Sequence, residues 1–130
     1  MMTKKETIIK RFDALADKRQ YWINRNIYYY DEQKKHFRFV IPEGLSILEL
    51  GCGTGDFLNT LKPKRGVGID FSPEMVRIAR ERYPDLDFRT ADIESIEGWG
   101  ETFDVLIMAD VVGHLMDLEE TFRRLHIFCR

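Results

Sequence analysis

The stretch Ile47-Leu-Glu-Leu-Gly-Cys-Gly-Thr-Gly-Asp-Phe57 decides the architecture. An apolar run of strand type leads straight into glycines at alternate positions, Gly51, Gly53 and Gly55, so the backbone can turn sharply and approach a ligand with no Cβ in the way. A dinucleotide loop would read GxGxxG and place its last glycine at position 56, where a helix N-terminus takes a pyrophosphate. Position 56 is Asp. A carboxylate at a helix mouth repels phosphate, and Glu49 adds a second negative charge at the end of the same strand. The loop therefore suits a nucleoside carrying a sulfonium and an ammonium. Such a ligand needs an acid at the next strand end for its ribose hydroxyls, and Asp70 lies 19 positions after Gly51, near the roughly 20 expected of a ribose-binding acid. Asp92, just after the third apolar run, is placed to accept from an exocyclic adenine amine.

Outward from this loop, short apolar runs alternate with helical periodicity, the pattern of a parallel sheet covered by helices. Strands are predicted over 46–50, 66–70, 86–90 and 103–109. Helices are predicted over 56–61, after Ser72 as cap with Pro73 in the first position and Met75, Val76, Ile78 and Ala79 inward, and from Asp117, paired with Glu120 and burying Leu118, Phe122 and Leu125. Upstream, Thr3 and Glu6 form a capping box for a helix with Ile8, Ile9, Phe12, Leu15 and Ala16 in one stripe. A second helix is expected from about Arg19 to Val40, ending before Pro42. Residues 1–43 read as a helical appendage and 44–130 as the ligand-binding unit.

The chain has 130 residues, 44% hydrophobic and 32% charged, which fits one soluble globular domain. No apolar run approaches the roughly 20 residues of a membrane helix, and none follows Lys4 and Lys5 as a signal peptide requires. A cytoplasmic, unprocessed protein with no membrane partner is expected. Cys52 and Cys129 form no CxxC pair, so a disulfide framework or cysteine zinc site is not expected. The net charge of −2 gives no general pull toward nucleic acid, yet residues 1–40 carry ten Lys and Arg against five Asp and Glu. That basic segment either meets an anionic partner or packs against the acidic remainder.

Taken with its surroundings, the glycine loop resembles that of class I (Rossmann-like) S-adenosylmethionine-dependent methyltransferases. Glu49-x-Gly51-x-Gly53-x-Gly55, Gly68-Ile-Asp70-Phe-Ser-Pro-Glu-Met75, Ala91-Asp92-Ile93, Phe103-Asp-Val-Leu and Val112-Gly-His-Leu-Met-Asp117 occur in the family's order, over 46 to about 128. The resemblance implies S-adenosyl-L-methionine as cofactor, a small-molecule methyl acceptor, and in-line displacement at the sulfonium methyl. By the same resemblance Gly51, Cys52, Gly53 and Gly55 would line the methionine and ribose, with Glu49 near the ammonium and Asp70 on the ribose. Phe71 and Met75 would flank the adenine, Asp92 and the Ile93 amide would read its edge, and Ala109 and Asp110 would lie under the sulfonium. Aromatic residues of the N-terminal helices close over the cofactor in some members, which nominates Tyr21, Tyr28, Tyr29 and Tyr30; interhelical packing is the alternative for that cluster.

His114 follows the fourth strand where an acceptor would approach and is the candidate general base, together with Asp110. Methyl transfer from an activated sulfonium can also proceed on proximity alone, leaving His114 a packing residue. No compact cluster of metal ligands appears in the sequence. The family's sheet has seven strands in the order 3-2-1-4-5-7-6, and this chain supplies four, in the expected order 3-2-1-4. The chain reads as the first part of such a domain, with an exposed fourth strand through which copies could associate. A non-catalytic cofactor-binding or interaction module and a nicotinamide-linked oxidoreductase are the competing readings.

Overall fold

In the computed structural model, which describes residues 1–109 and 115–130, four parallel strands form one sheet in the order β3-β2-β1-β4. These are β1 (Ser46–Leu50), β2 (Arg65–Asp70), β3 (Asp87–Thr90) and β4 (Val105–Ile107). β1 is buried along its whole length, as a central strand covered on both faces must be. One face packs Ile47 with Leu58, Leu61, Val76, Ala79 and Phe88. The other packs Leu48 and Leu50 with Val67, Ile69, Phe103, Leu125 and Phe128.

The expected order and the first three strands are present, but β4 is shorter than the predicted 103–109. Only Val105, Leu106 and Ile107 pair with β1. Phe103 instead bridges Cys129 in parallel, its amide donating to the Phe128 carbonyl at 2.8 Å. The segment leading into β4 thus has a neighbour on its outer side, whereas among the described residues 105–107 pair only with β1.

The helices follow their caps. Thr3 and Glu6 make both bonds of the capping box that opens α1 (Lys4–Leu15), yet α1 buries no residue completely. After a 3-10 turn over Ala16–Lys18, the predicted single helix is two: α2 (Arg19–Arg25) and α3 (Ile27–Val40). Asn26 breaks them, with φ −116° and ψ 31° and its side-chain amide donating to the Trp22 carbonyl at 2.9 Å, the local competition with helix bonding that Asn favours.

Gly55, at φ 84°, starts α4 (Asp56–Thr60). Ser72 caps α5 (Pro73–Arg82) by accepting from the Met75 amide, and Met75, Val76 and Ala79 are buried as predicted. In α6 (Leu118–Leu125) the expected inward face is rotated. Thr121 and Leu125 are buried, whereas Leu118 and Phe122 are 43% and 47% exposed. Asp117 caps this helix by accepting from the Glu120 amide. No helix among the described residues is long and apolar enough to cross a membrane.

Candidate active site

The site lies at the carboxyl ends of β1, β2 and β3, beside the point between β1 and β4 where the strand order reverses and ligands of doubly wound sheets bind. Three tight constraints shape the loop after β1. The amides of Gly51 and Cys52 both donate to the Ile69 carbonyl, at 2.8 and 2.9 Å. Gly53, at φ 55°, donates its amide to Asp70 Oδ2 at 2.9 Å. A Cβ on Gly55 would meet Phe88 Cζ at 2.5 Å, so glycine is required there by close approach as well as by backbone angle.

The Asp70 carboxylate spans the loop and the next helix. Its Oδ1 accepts from the Ser72 amide at 2.9 Å while Oδ2 holds Gly53. Each oxygen retains a second lone pair, directed by a carboxylate whose orientation two backbone amides fix. Burial pushes its pKa above the ordinary value, against the opposing pull of those two amides and of Arg19.

Around this frame lies a cavity of about 180 Å³. The structure brings Glu49, Gly51, Cys52, Gly53, Asp70, Phe71, Met75, Asp92, Ile93 and Ala109 to its wall. Gly55 is the exception among the three glycines of the loop, since it faces Phe88 and Tyr83 behind it. Asp110 and His114 lie outside the described residues. The tyrosine cluster divides: Tyr30 lines the cavity, whereas Tyr21, Tyr29 and Tyr28 are exposed, the last at 78%. They are thus neither all packing nor all lid.

Glu49 is the most perturbed carboxyl. Burial, foremost, raises its pKa to about 8, reinforced by the nearby Asp70 and Asp56 and opposed by Arg19 and the Leu58 amide. Its Oε1 is buried and has no hydrogen-bond partner among the described residues. Buried polar atoms are nearly always satisfied, and an exception at a cleft points to a missing partner. The Cys52 thiol is held well above its ordinary pKa by burial and by Glu49 and Asp70, so it is no thiolate nucleophile near neutrality.

Four contributors escaped the sequence reading because they come from the N-terminal helices. Arg19 of α2 lays its guanidinium on the loop, where a Cβ on Gly53 would sit 2.9 Å from Cζ. Its Nε, like Glu49 Oε1, is buried without a partner. Lys5 of α1 reaches Asp92 and Glu94, at 2.8 Å to each. Phe12 packs on Phe71 with ring centroids 5.4 Å apart, and the next residue, Asp13, accepts from the Ser72 hydroxyl. The only sequence signal for this was the basic excess of residues 1–40, and here part of that excess faces the acidic strand ends. Asp56, read as an anion that repels phosphate, is also a structural acceptor: Thr54 and Tyr83 each donate to it at 2.6 Å, and Arg82 lies 3.2 Å away.

The profile of a family described as the methyltransferase domain matches residues 47–130. This chain belongs to that family. A ubiquinone biosynthesis O-methyltransferase of Chelativorans sp. is 31% identical, over 85% of this chain and 53% of its own length. A malonyl-[acyl-carrier protein] O-methyltransferase of Bacillus anthracis is 36% identical over 68% of this chain and 35% of its own length. Among solved structures, the complex between the Haloferax volcanii Trm112 methyltransferase activator and a methyltransferase matches with a TM-score of 0.77 and 27% identity, covering 92% of this chain and 55% of that one. The chain spans about half the length, or less, of the curated relatives it matches.

Proposed function

We propose that this methyltransferase domain binds S-adenosyl-L-methionine and serves methyl transfer to a small-molecule acceptor, with an oxygen nucleophile favoured by the O-methyltransferase relatives. One observation carries the reading: a carboxyl oxygen of Glu49 and a guanidinium nitrogen of Arg19 are both buried and have no hydrogen-bond partner among the described residues, and both side chains line one cavity with Asp70. A zwitterionic amino-acid moiety satisfies both at once, its ammonium on Glu49 and its carboxylate on Arg19. Asp70 takes the ribose hydroxyls on its remaining lone pairs. Phe71 and Met75 flank the adenine, and Asp92 with the Ile93 amide reads its edge.

When bound, the cofactor would supply a methyl on a positively charged sulfur for transfer to the acceptor oxygen, whose proton would pass to a base. The chain contributes orientation, and holding the reacting groups in line supplies part of such a rate advantage. Asp110 and His114 are proposed to face the acceptor, His114 as its base. A cytoplasmic location accords with this reading.

Titration with S-adenosylhomocysteine tests it, a 1:1 complex being expected and no binding by folded protein refuting it. The dinucleotide alternative is disfavoured by the Asp56 carboxyl at the start of α4, where a pyrophosphate would lie. Association of copies through β4 is a second proposal, favoured by the outer side of 105–107, which is unpaired among the described residues, and by the exposed Leu118 and Phe122. Sedimentation at tens of micromolar giving a strict monomer would dismiss it.

A further inference from the structure

Lys5 occupies the place where the nucleobase edge is expected. Its Nζ lies 2.8 Å from Asp92 Oδ2 and 2.8 Å from Glu94 Oε1, and its side chain lines the same cavity as Ile93 and Phe71. Asp92 has its other oxygen committed, since Oδ1 accepts from the Glu94 amide at 3.0 Å. Oδ2, the oxygen that Lys5 holds, is the one that accepts no backbone amide, and a ligand amine bonding it meets the Lys5 ammonium. Glu94 in turn grips the chain on the far side, its Oε2 accepting from the Met116 and Asp117 amides at 2.9 and 3.1 Å.

We infer that Lys5 is an internal stand-in for the adenine amine: it holds Asp92 in the unliganded protein, and on cofactor binding it withdraws to Glu94 alone while Asp92 passes to the base. This rests on the proposed cofactor reading. The two carboxylates make the exchange inexpensive, because Lys5 keeps one charged partner throughout and its short travel leaves α1 docked through Phe12 and Asp13. Lys5 is thus a positioning residue whose preference between Asp92 and Glu94 sets cofactor affinity. It sits on a helix with no fully buried residue, so its hold is that of a partly exposed ion pair, modest and screened by salt.

The test is calorimetric titration of the full chain with S-adenosylhomocysteine at low and at high salt, for the wild type and for Lys5→Gln, Lys5→Arg and Glu94→Gln. Removing the competing cation in Lys5→Gln is expected to tighten binding by about two- to five-fold at low salt, with the gap closing at high salt. Lys5→Arg should resemble the wild type. Glu94→Gln keeps an amide oxygen for the Met116 and Asp117 amides but leaves Lys5 only Asp92, so binding should weaken. These opposite signs are not produced by loss of a merely structural contact. Lys5→Gln binding no tighter than the wild type, or Glu94→Gln binding tighter, would overturn the inference while leaving the cofactor reading intact. Absence of binding by every variant would overturn the cofactor reading and this inference with it.

Discussion

Cofactor binding should expel a proton from Glu49. With its pKa raised to about 8 by burial, Glu49 is about nine-tenths protonated at pH 7 in the unliganded protein. A ligand ammonium within about 4–6 Å lowers a carboxyl by about 1–3 units, so the bound pKa falls to about 5–7. The complex then releases between about 0.4 and 0.9 proton per ligand at pH 7, and the same linkage makes binding stronger by about 1–4 kcal/mol once pH exceeds 8. Calorimetric titration with S-adenosylhomocysteine in buffers of different ionisation enthalpy reads the number directly, as the slope of observed heat against that enthalpy. Glu49→Gln preserves shape and should flatten the slope. Heats independent of buffer in the wild type, or an unchanged slope in Glu49→Gln, would refute the placement of the ammonium on Glu49.

Other outcomes follow from the same geometry. Because a buried carboxyl with a raised pKa contributes its stability below the ordinary value of 4.5 and loses it as pH rises through about 8, the unliganded protein should lose up to about 5 kcal/mol across that window; chemical denaturation of Glu49→Gln at pH 9 should find it more stable than the wild type. Gly55→Ala combines a left-handed backbone angle with a 2.5 Å approach to Phe88, and thermal unfolding should show a loss of about 2–4 kcal/mol. Asp70→Asn can no longer accept from both the Gly53 and Ser72 amides and should cost about 1–3 kcal/mol in the same assay while abolishing S-adenosylhomocysteine binding. Glu101 has its pKa lowered to about 2 by hydrogen bonds from Arg65 and Trp99. Its contribution is present above the ordinary value near 4.5 and lost as pH falls toward 2, so Glu101→Gln should be less stable at pH 7 yet lose less on acidification in circular-dichroism titrations.

The parts of the fold that were legible are those encoded locally. The Thr3–Glu6 capping box, the Ser72–Pro73 helix start and the buried run of β1 each announce themselves within a few residues, and the order β3-β2-β1-β4 follows from the motif sequence. The site was legible where strand ends carry it, at Glu49, Gly51, Gly53, Asp70 and Asp92. It was not legible where the chain folds back over those ends. Nothing in the spacing of Lys5 or Arg19 distinguishes them from other surface cations, because their role depends on how α1 and α2 dock, a contact made by a few polar groups, the Phe12–Phe71 pair and the buried Ala16 and Ile23. The rotation of α6 is a similar case: Leu118 and Phe122 satisfy helical periodicity, but the sheet beneath accommodates only the Thr121, Leu125 and Phe128 side. Asn26 was readable in principle as a residue that competes with helix bonding, and the apolar periodicity on either side masked it.

The central claim is that the cavity between the β1–β3 ends and the N-terminal helices holds S-adenosylmethionine. Amide chemical shifts of the labelled chain titrated with S-adenosylhomocysteine test it most directly. The account predicts saturable 1:1 binding with the largest shifts at Gly51, Gly53, Phe71, Ile93 and Arg19, and none with NADH. A folded chain whose amides do not respond, or respond to NADH instead, would contradict it.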